Sequence, residues 1–330
     1  MWHLSRYDKS IFRDLELFYM RDITGALLLI TSMAVYANDT SIGEVNSTIE
    51  LLKQNDISME KERLLISPER INVDYLFVNH APLDVTLPVA FPMPPEQYDE
   101  TDRNPGLMNF KLSVNGKPVT PQEQWIALLI NEKGNTREDI TDKLLKAGWT
   151  VEQLRNVLKN NEIFQQPDNL PALPEAWVKN NESFLAVQQF FIWQQTFPAG
   201  KEVMINHTYT PSLTSGVPRE VADITDNYCL TNENQQQLSR LRSNVKRNHQ
   251  EEDFSGFNWA QLDYILTTGA NWKEGVIGDF TLRVHKRTAD EVAVVCFNHS
   301  LKSIDPLTLE FKQKNFKPEQ DLNIIYLSSW

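Results

Sequence analysis

The sequence has little glycine and little cysteine. Its 330 residues include only 12 glycines and 2 cysteines. We therefore expect neither a glycine-rich phosphate loop nor an array of repeats, and a small disulfide-dense knot is excluded. Apolar residues make up 41% of the chain and charged residues 23%, close to the averages of folded domains. A chain of this length and composition can bury at least one large core.

The chain also has fewer basic than acidic residues. The chain has 32 Lys and Arg against 44 Asp and Glu, a formal net charge of −12. Such a surface repels phosphate backbones and anionic headgroups, which require a basic footprint on their partner. We therefore expect no nucleic-acid partner and no attachment to acidic membrane surfaces.

The common catalytic and metal-binding motifs are absent from the sequence. It contains no H-E-x-x-H, no G-x-S-x-G, no P-loop and no paired C-x-x-C, which disfavours standard metalloproteases and serine hydrolases. After the N-terminal segment, no histidine lies within four residues of another. The sequence therefore predicts no metal site and no cofactor, and it leaves any catalytic residues unknown.

A segment near the N-terminus has the composition of a signal peptide. Residues 20–37, MRDITGALLLITSMAVYA, combine an arginine with an apolar stretch too short to span a bilayer comfortably. We predict cleavage between Ala37 and Asn38, which leaves no stable membrane anchor on a periplasmic or secreted chain. A buried helix or an uncleaved anchor is the alternative. Residues 1–19 lack export features, and translation from Met20 would make them an upstream extension.

The two cysteines, Cys229 and Cys296, lie far apart in the sequence. In an exported chain an isolated pair is most simply a single disulfide. Closing such a loop stabilises a fold by roughly 4 kcal/mol by chain-entropy reasoning. The alternative is a catalytic thiol at Cys296, because His299 is close in sequence. It is disfavoured, since neighbours on a strand need not face each other.

Alternating apolar and polar residues predict a mainly β fold. In the segment INVDYLFVN, the residues Val73, Tyr75 and Phe77 share one face of a strand. The segment FLAVQQFFIWQQTF is apolar on both faces, which is typical of a strand enclosed in a core. Asn115 and Gly116 predict a tight type I′ hairpin turn, because both tolerate positive φ. We expect two β-sandwich-like regions.

Between these regions the spacing of the apolar residues changes from the period of a strand toward that of a helix, which predicts a short helical insert. The segments EQWIALLINEK, REDITDKLLKAGW and TVEQLRNVLKN have helical spacing, with Thr136 and Thr150 as N-caps and Gly148 at the end of the middle helix. A further helix is expected in NENQQQLSRLRSNVKRN. The expected parts are an extension and signal peptide at 1–37, an N-terminal β region at 38–120, the insert with a proline-rich connector at 121–180, and a C-terminal β region at 181–330.

Four residues are candidates for a ligand pocket. His207 and Tyr209 lie on one face of a predicted strand, and Asn271 and Trp272 follow a turn-prone Thr-Gly pair. Together they would form a polar and aromatic pocket for a sugar or peptide. The alternative is that the aromatic rings pack the core while His207 hydrogen-bonds a loop, since large aromatic residues are most often core residues.

The order of several segments along the chain carries a resemblance. These segments are NDTS, LLISPERINVDYLFVN, VTLPVAFPMP, VNGKPVT, FIWQQTFPAGKEVMINHTYTPS, YCL, YILTTGANW and VCF. In this order they resemble the bacterial family called domain of unknown function 4424, and they span nearly the whole mature chain. The resemblance implies an exported, mostly β protein in which Cys229 and Cys296 are bonded, and it implies no activity. The segment IGEV departs from the family pattern, where a glycine pair is more usual.

These observations predict a periplasmic or secreted protein without chemistry of its own. We expect a binding or envelope-assembly factor whose partner is an unidentified envelope protein or a small ligand. One alternative is an envelope hydrolase with an unrecognised site; a second is a self-assembling structural component. The hydrolase would draw on His207, His299, Asp263 and Glu202.

Overall fold

Extended strands dominate the chain, as the alternating sequence predicts. The computed structural model describes residues 40–45, 48–97, 108–130, 137–160, 170–179, 182–218, 229–248 and 256–329. The predicted extension, the signal peptide and the cleavage position at Ala37 and Asn38 lie outside these residues. Within them, no helix is long and apolar enough to cross a membrane.

The largest sheet places strands from both ends of the sequence side by side. Its strands are β3 (Ile57–Ile66), β4 (Ile71–Asn79), β7 (Met108–Val114), β8 (Lys117–Val119), β14 (Glu202–Thr210), β16 (Ile277–His285), β18 (Lys302–Asp305) and β19 (Thr308–Phe316). Their order across the sheet is β18–β19–β16–β3–β4–β14–β7–β8. The pair β3 and β16 is parallel, and the other neighbours are antiparallel. The predicted N-terminal and C-terminal β regions therefore share one sheet.

A second sheet and a smaller third sheet complete the β structure. The second sheet contains β1 (Thr40–Val45), β2 (Thr48–Leu52), β5 (Val85–Pro92), β6 (Glu96–Gln97), β9 (Gln122–Ile130), β10 (Arg137–Asp139) and β13 (Leu185–Phe197). Its order is β10–β9–β13–β5–β1–β2, and β6 pairs with β13. The third sheet contains β15 (Phe257–Tyr264), β17 (Val292–Cys296) and β20 (Leu322–Ser329) in the order β15–β20–β17. A short pair joins β11 (Val178–Lys179) and β12 (Glu182–Ser183).

The helices match the predicted insert only in part. They are α1 (Thr141–Lys146), α2 (Val151–Lys159) and α3 (Asn232–Asn248), with 3₁₀ turns at Thr267–Asn271 and Lys273–Gly275. Thr150 caps α2 as predicted, because its side chain accepts a hydrogen bond from the Gln153 backbone N–H at 3.1 Å. Gly148 follows α1 with a φ of +86°. The predicted cap Thr136 lies outside the described residues, and α1 begins after Ile140.

The prediction of a helix over EQWIALLINEK is wrong. These residues largely form β9, which pairs with β13 on one side and β10 on the other. The second half of β9 is buried on both faces, with Ile126, Ala127 and Leu128 all excluded from solvent. A fully enclosed strand has no polar face, so its apolar run has no period of two and resembles a buried helix.

The main core lies among the inner faces of the three sheets. It contains Val73, Tyr75 and Phe77 from β4, Phe191, Trp193 and Phe197 from β13, and Leu322, Ile324 and Tyr326 from β20. As predicted, β13 buries both faces, because Phe190 packs in a separate cluster with Ile126 and Leu128. Leu238 and Leu241 of α3 cover the other face of the third sheet.

Two backbone details follow from glycine. The hairpin between β7 and β8 turns at Asn115 and Gly116, whose φ angles are 49° and 75°, as the type I′ prediction requires.

In the centre of the largest sheet, β3 carries an extra residue, Glu60, relative to β4. A Cβ placed on Gly278 of β16 would lie 2.7 Å from the Glu60 carbonyl oxygen. Only glycine fits where β16 passes this bulge.

Candidate functional site

A cavity of about 250 Å³ opens between the second and third sheets. We call it the junction cavity. Its charged and amide groups come from Gln97, Arg137, Asp263, Asp321 and Asn323. The other described residues of its wall are Pro, Ile, Leu and Tyr. Polar and apolar groups share the wall about equally, and convergent polar groups in a concave surface are typical of small-ligand sites.

Strand pairing fixes one side of the cavity. Asp263 on β15 lies directly opposite Asn323 on β20. The Asn323 amide Nδ2 donates a hydrogen bond of 2.6 Å to Asp263 Oδ1. Asp263 is exposed to solvent and lines the cavity. The carboxyl group is therefore held in a defined orientation and stays accessible.

A second carboxyl group is anchored in the same cavity wall. Asp321 Oδ1 accepts hydrogen bonds from the backbone N–H groups of Leu266 and Thr267, at 3.0 and 3.1 Å, and from Thr267 Oγ1 at 2.8 Å. These donors start the 3₁₀ turn at Thr267–Asn271. Asp321 therefore ties the start of β20 to this turn, and its Oδ2 atom takes part in none of these three bonds.

The surroundings shift the pKa of both carboxyl groups in the same direction. Loss of hydration raises the pKa of Asp263 and of Asp321 above the usual value of a carboxyl group. Hydrogen bonds from Asn323 and Thr267 oppose this rise, as does the positive charge of Arg137. The charge of Asp321 adds to the rise for Asp263. Both carboxylates are thus less stable as anions than carboxylates in water.

A guanidinium group completes the charged wall. Arg137 begins β10, and its charge favours the ionised form of both aspartates. With both carboxyl groups ionised, these three side chains carry a net charge of −1. The described residues of the wall include no Ser, Thr, Cys, His or Lys, and their ionisable groups are the two aspartates, Arg137 and Tyr264. The arrangement suits recognition by charge and hydrogen bonding.

The residues proposed from the sequence as a ligand pocket do not line this cavity. His207 and Tyr209 are buried between sheets, with the His207 ring 4.7 Å from the Phe91 ring between centroids. Burial lowers the pKa of His207 to about 3, so its imidazole is neutral. Trp272 packs 4.5 Å from Phe77 in the same core. These positions favour the alternative that the aromatic residues pack the core.

Asn271 has a backbone role in this arrangement. Its carbonyl oxygen accepts a hydrogen bond of 2.7 Å from the Gln54 backbone N–H, which links the 3₁₀ turn to the segment after β2. Ligand binding by the set of His207, Tyr209, Asn271 and Trp272 stays a prediction. The described cavity gives it no support.

The candidate hydrolase residues do not converge. Asp263 lies in the wall of the junction cavity, whereas His207 lies in the core. His299 stacks on Phe311, with ring centroids 4.8 Å apart, and Glu202 is exposed at the start of β14. An acid, a base and a nucleophile must meet within hydrogen-bond reach to act together. These four side chains are distributed over separate parts of the fold.

The two cysteines form a disulfide, as predicted. The Cys229 backbone N–H also donates to Cys296 Sγ at 3.1 Å. The bridge links the residues before α3 to the end of β17. Since Cys296 is bonded, the alternative of a catalytic thiolate paired with His299 is wrong. His299 instead contacts the rings of Phe297 and Phe311.

Sequence reasoning missed Arg137, Asp321 and Asn323 as site residues. Asp263 and Asn323 are polar residues next to apolar ones in the segments QLDYILTT and LNIIYLSS. Such interruptions could have marked both strands. Their meeting depends on strand register, because 60 residues separate them.

A family model covers most of the chain. The family described as Domain of unknown function (DUF4424) matches residues 37–325. The chain belongs to this family. Membership in DUF4424 agrees with the resemblance that the ordered segments carry, and it assigns no activity to the junction cavity.

Comparison with other proteins adds a distant likeness. One similar solved structure is that of a candidate nutrient binding protein from Legionella pneumophila. It is 16% identical, with a TM-score of 0.46, and the match covers 88% of the DUF4424 chain and 70% of the Legionella chain. A likeness at this level gives no information about function. No curated protein matches the chain.

Proposed function

We propose that this DUF4424 chain is an exported binding protein without chemistry of its own, which holds a small polar ligand in the junction cavity. The observation behind this proposal is the group of Asp263, Asp321 and Arg137 in the wall of one cavity. Hydrogen bonds from Asn323 and from the start of the 3₁₀ turn hold the two carboxyl groups in place. Preorganised polar groups reduce the entropic cost of binding.

The size of the cavity limits the ligand. Ligand pockets commonly measure about 300–1,000 Å³, and the junction cavity, at about 250 Å³, lies just below that range. This volume suits a small metabolite and is too small for a folded domain or a long peptide. The proposed partner is therefore a small molecule.

Two features support export. A signal-peptide pattern ends at Ala37, and the single disulfide between Cys229 and Cys296 suits an oxidising compartment. The test is the intact mass of protein purified from the periplasm, with and without reduction and alkylation. We expect a chain that begins at Asn38 and has no alkylatable thiol before reduction. A chain that keeps residues 20–37 and two free thiols would disprove export.

Binding is tested by thermal unfolding against a panel of small metabolites. A ligand present at about 100 times its Kd stabilises the folded state by about 2.7 kcal/mol, which raises Tm measurably. We expect this rise in the wild type and in Asp290→Asn, whose side chain is exposed and outside the cavity wall. It should shrink in Asp263→Asn.

The other outcomes of the panel are equally informative. Equal stabilisation of all three proteins would place the binding site elsewhere, and no stabilisation by any compound would contradict small-molecule binding. Turnover of a bound compound, lost in Asp263→Asn, would replace the proposal with the envelope-hydrolase alternative.

A further inference from the structure

We infer that the junction cavity selects a small ligand that carries a primary ammonium group, held by the carboxylates of Asp263 and Asp321. This inference rests on the proposed function and specifies the chemical class of its ligand. It follows from the charge of the described wall residues, from the hydrogen-bonding capacity of the two carboxylates, and from the apolar side chains beside them.

The charge of the wall favours a cation. Among the described residues of the wall, Asp263 and Asp321 outnumber the guanidinium of Arg137, so these three side chains have one negative charge in excess when ionised. The neighbouring Pro, Ile, Leu and Tyr side chains cannot compensate it. An anionic ligand would face two carboxylates, and a neutral ligand would leave the excess charge uncompensated in a partly dehydrated site. An ammonium group neutralises it.

The hydrogen-bond pattern also favours a donor. The three donors on Asp321 all reach Oδ1, and the Asn323 amide reaches Oδ1 of Asp263. Gln261 also hydrogen-bonds the Asp263 carboxyl group through its side chain, whereas Oδ2 of Asp321 takes no part in the three bonds to that residue. An ammonium group has three N–H donors and no acceptor, so it matches carboxylate oxygens, which can only accept. Charge-assisted bonds of this kind are roughly twice as strong as neutral ones.

The direction of the pKa shifts agrees with this geometry. Loss of hydration raises the pKa of both carboxyl groups. A cation beside them would lower both pKa values again. Binding of an ammonium ligand should therefore strengthen as the pH rises and the carboxyl groups lose their protons.

A bare metal ion is a less suitable occupant. Among the described residues, no group of three or more His, Cys, Asp or Glu side chains is placed to hold one. Structural metal ions commonly need three or more protein ligands. The cavity is also larger than a single ion, with apolar surface that suits the carbon chain of an organic amine.

The test uses three probes with the same four-carbon chain and different charge. They are 1,4-diaminobutane, 1,4-butanediol and succinate, titrated by calorimetry into the mature protein, Asp263→Asn and Asp290→Asn. We expect 1,4-diaminobutane to bind better than ~1 mM and the other two not to bind. Asp263→Asn should weaken its binding about tenfold or more, the usual effect of losing a hydrogen bond to a charged group. Asp290→Asn should bind like the wild type.

Asp263→Asn is expected to fold, because asparagine keeps the Oδ1 acceptor that Asn323 uses. Its unfolding transition, measured alongside, separates lost binding from lost structure. Diamine affinity should rise with pH in the wild type and change less in the variant.

The outcomes separate this inference from the proposed function. Binding of 1,4-butanediol or succinate as tight as that of the diamine, sensitive to Asp263→Asn, would overturn the ligand class and keep the cavity as a binding site. If 1,4-diaminobutane fails to bind and a non-amine from the metabolite panel binds in its place, the ligand class is likewise overturned and the cavity remains a binding site. Failure of every probe and every panel compound would overturn both.

Discussion

Removing the disulfide should cost the folded protein about 4 kcal/mol. The bond joins residues with a sequence separation of 67. In the chain-entropy treatment, a crosslink of that span lowers the entropy of the unfolded chain by roughly 15 cal/mol/K, or about 4 kcal/mol at 25 °C. The double variant Cys229→Ala, Cys296→Ala releases this constraint. It should leave the native fold in place, because α3 still packs on the third sheet through Leu238 and Leu241.

The assay is urea unfolding at neutral pH, followed by tryptophan fluorescence and far-UV circular dichroism. Reduced wild-type protein serves as the control and should match the double variant. The variant should unfold at a lower urea concentration with a native spectrum like that of the wild type. Its m-value should rise slightly, since an unfolded chain without a crosslink exposes more surface. A loss below about 1 kcal/mol, with coincident transitions from both probes, would refute the entropic reasoning.

Three further perturbations test other parts of the structure. Asp263→Asn should raise Tm at neutral pH. The pKa of Asp263 is raised in the folded state, so its ionisation costs the wild type stability as the pH rises through that pKa. This gain should vanish below about pH 4, and a less stable variant at pH 7 would contradict it. The His207 imidazole should show no NMR titration between about pH 5 and 8. Because its pKa is lowered to about 3 in the folded state, the folded protein should lose stability as the pH falls from about 6.5. A normal titration of every imidazole would contradict this prediction. Gly278→Ala should lower the free energy of unfolding in urea by about 1–3 kcal/mol or more, because a backbone oxygen occupies the space of the added Cβ. The control Gly116→Ala, with open space around the added Cβ, should lower it by about 1 kcal/mol. Equal losses would argue against the close contact at Gly278.

The strands with one polar face were predictable, because alternation records which face is buried. Val73, Tyr75 and Phe77 show this in β4, where every second residue enters the core. The enclosed strand β13 was also predictable, since its aromatic and β-branched residues favour strands. Strand β9 was not, because the Ala-Leu-Leu run at its centre suits a helix as well as a buried strand. Only its pairing with β13 and β10 decides between them.

The candidate site was predictable to a smaller extent. Sequence patterns show which residues alternate within one strand, but not which strands become neighbours. Asp263 and Asn323 meet through the pairing of β15 with β20, and Arg137 reaches them from a different sheet. Aromatic residues such as Trp272 were more conspicuous in the sequence, yet they serve the core. Individual polar residues near strand ends mark the cavity.

The central place of β3 affects how the chain can fold. On one side β3 pairs with β4, which follows it directly in the sequence. On the other side it pairs with β16, which comes much later in the sequence. Arg63 of β3 bonds to Asp279 of β16 across 216 residues of sequence. Contacts of such high contact order form slowly. Until β16 has been synthesised, one edge of β3 stays open to pairing with other chains. Fragments that end before residue 277 are therefore expected to aggregate through this edge.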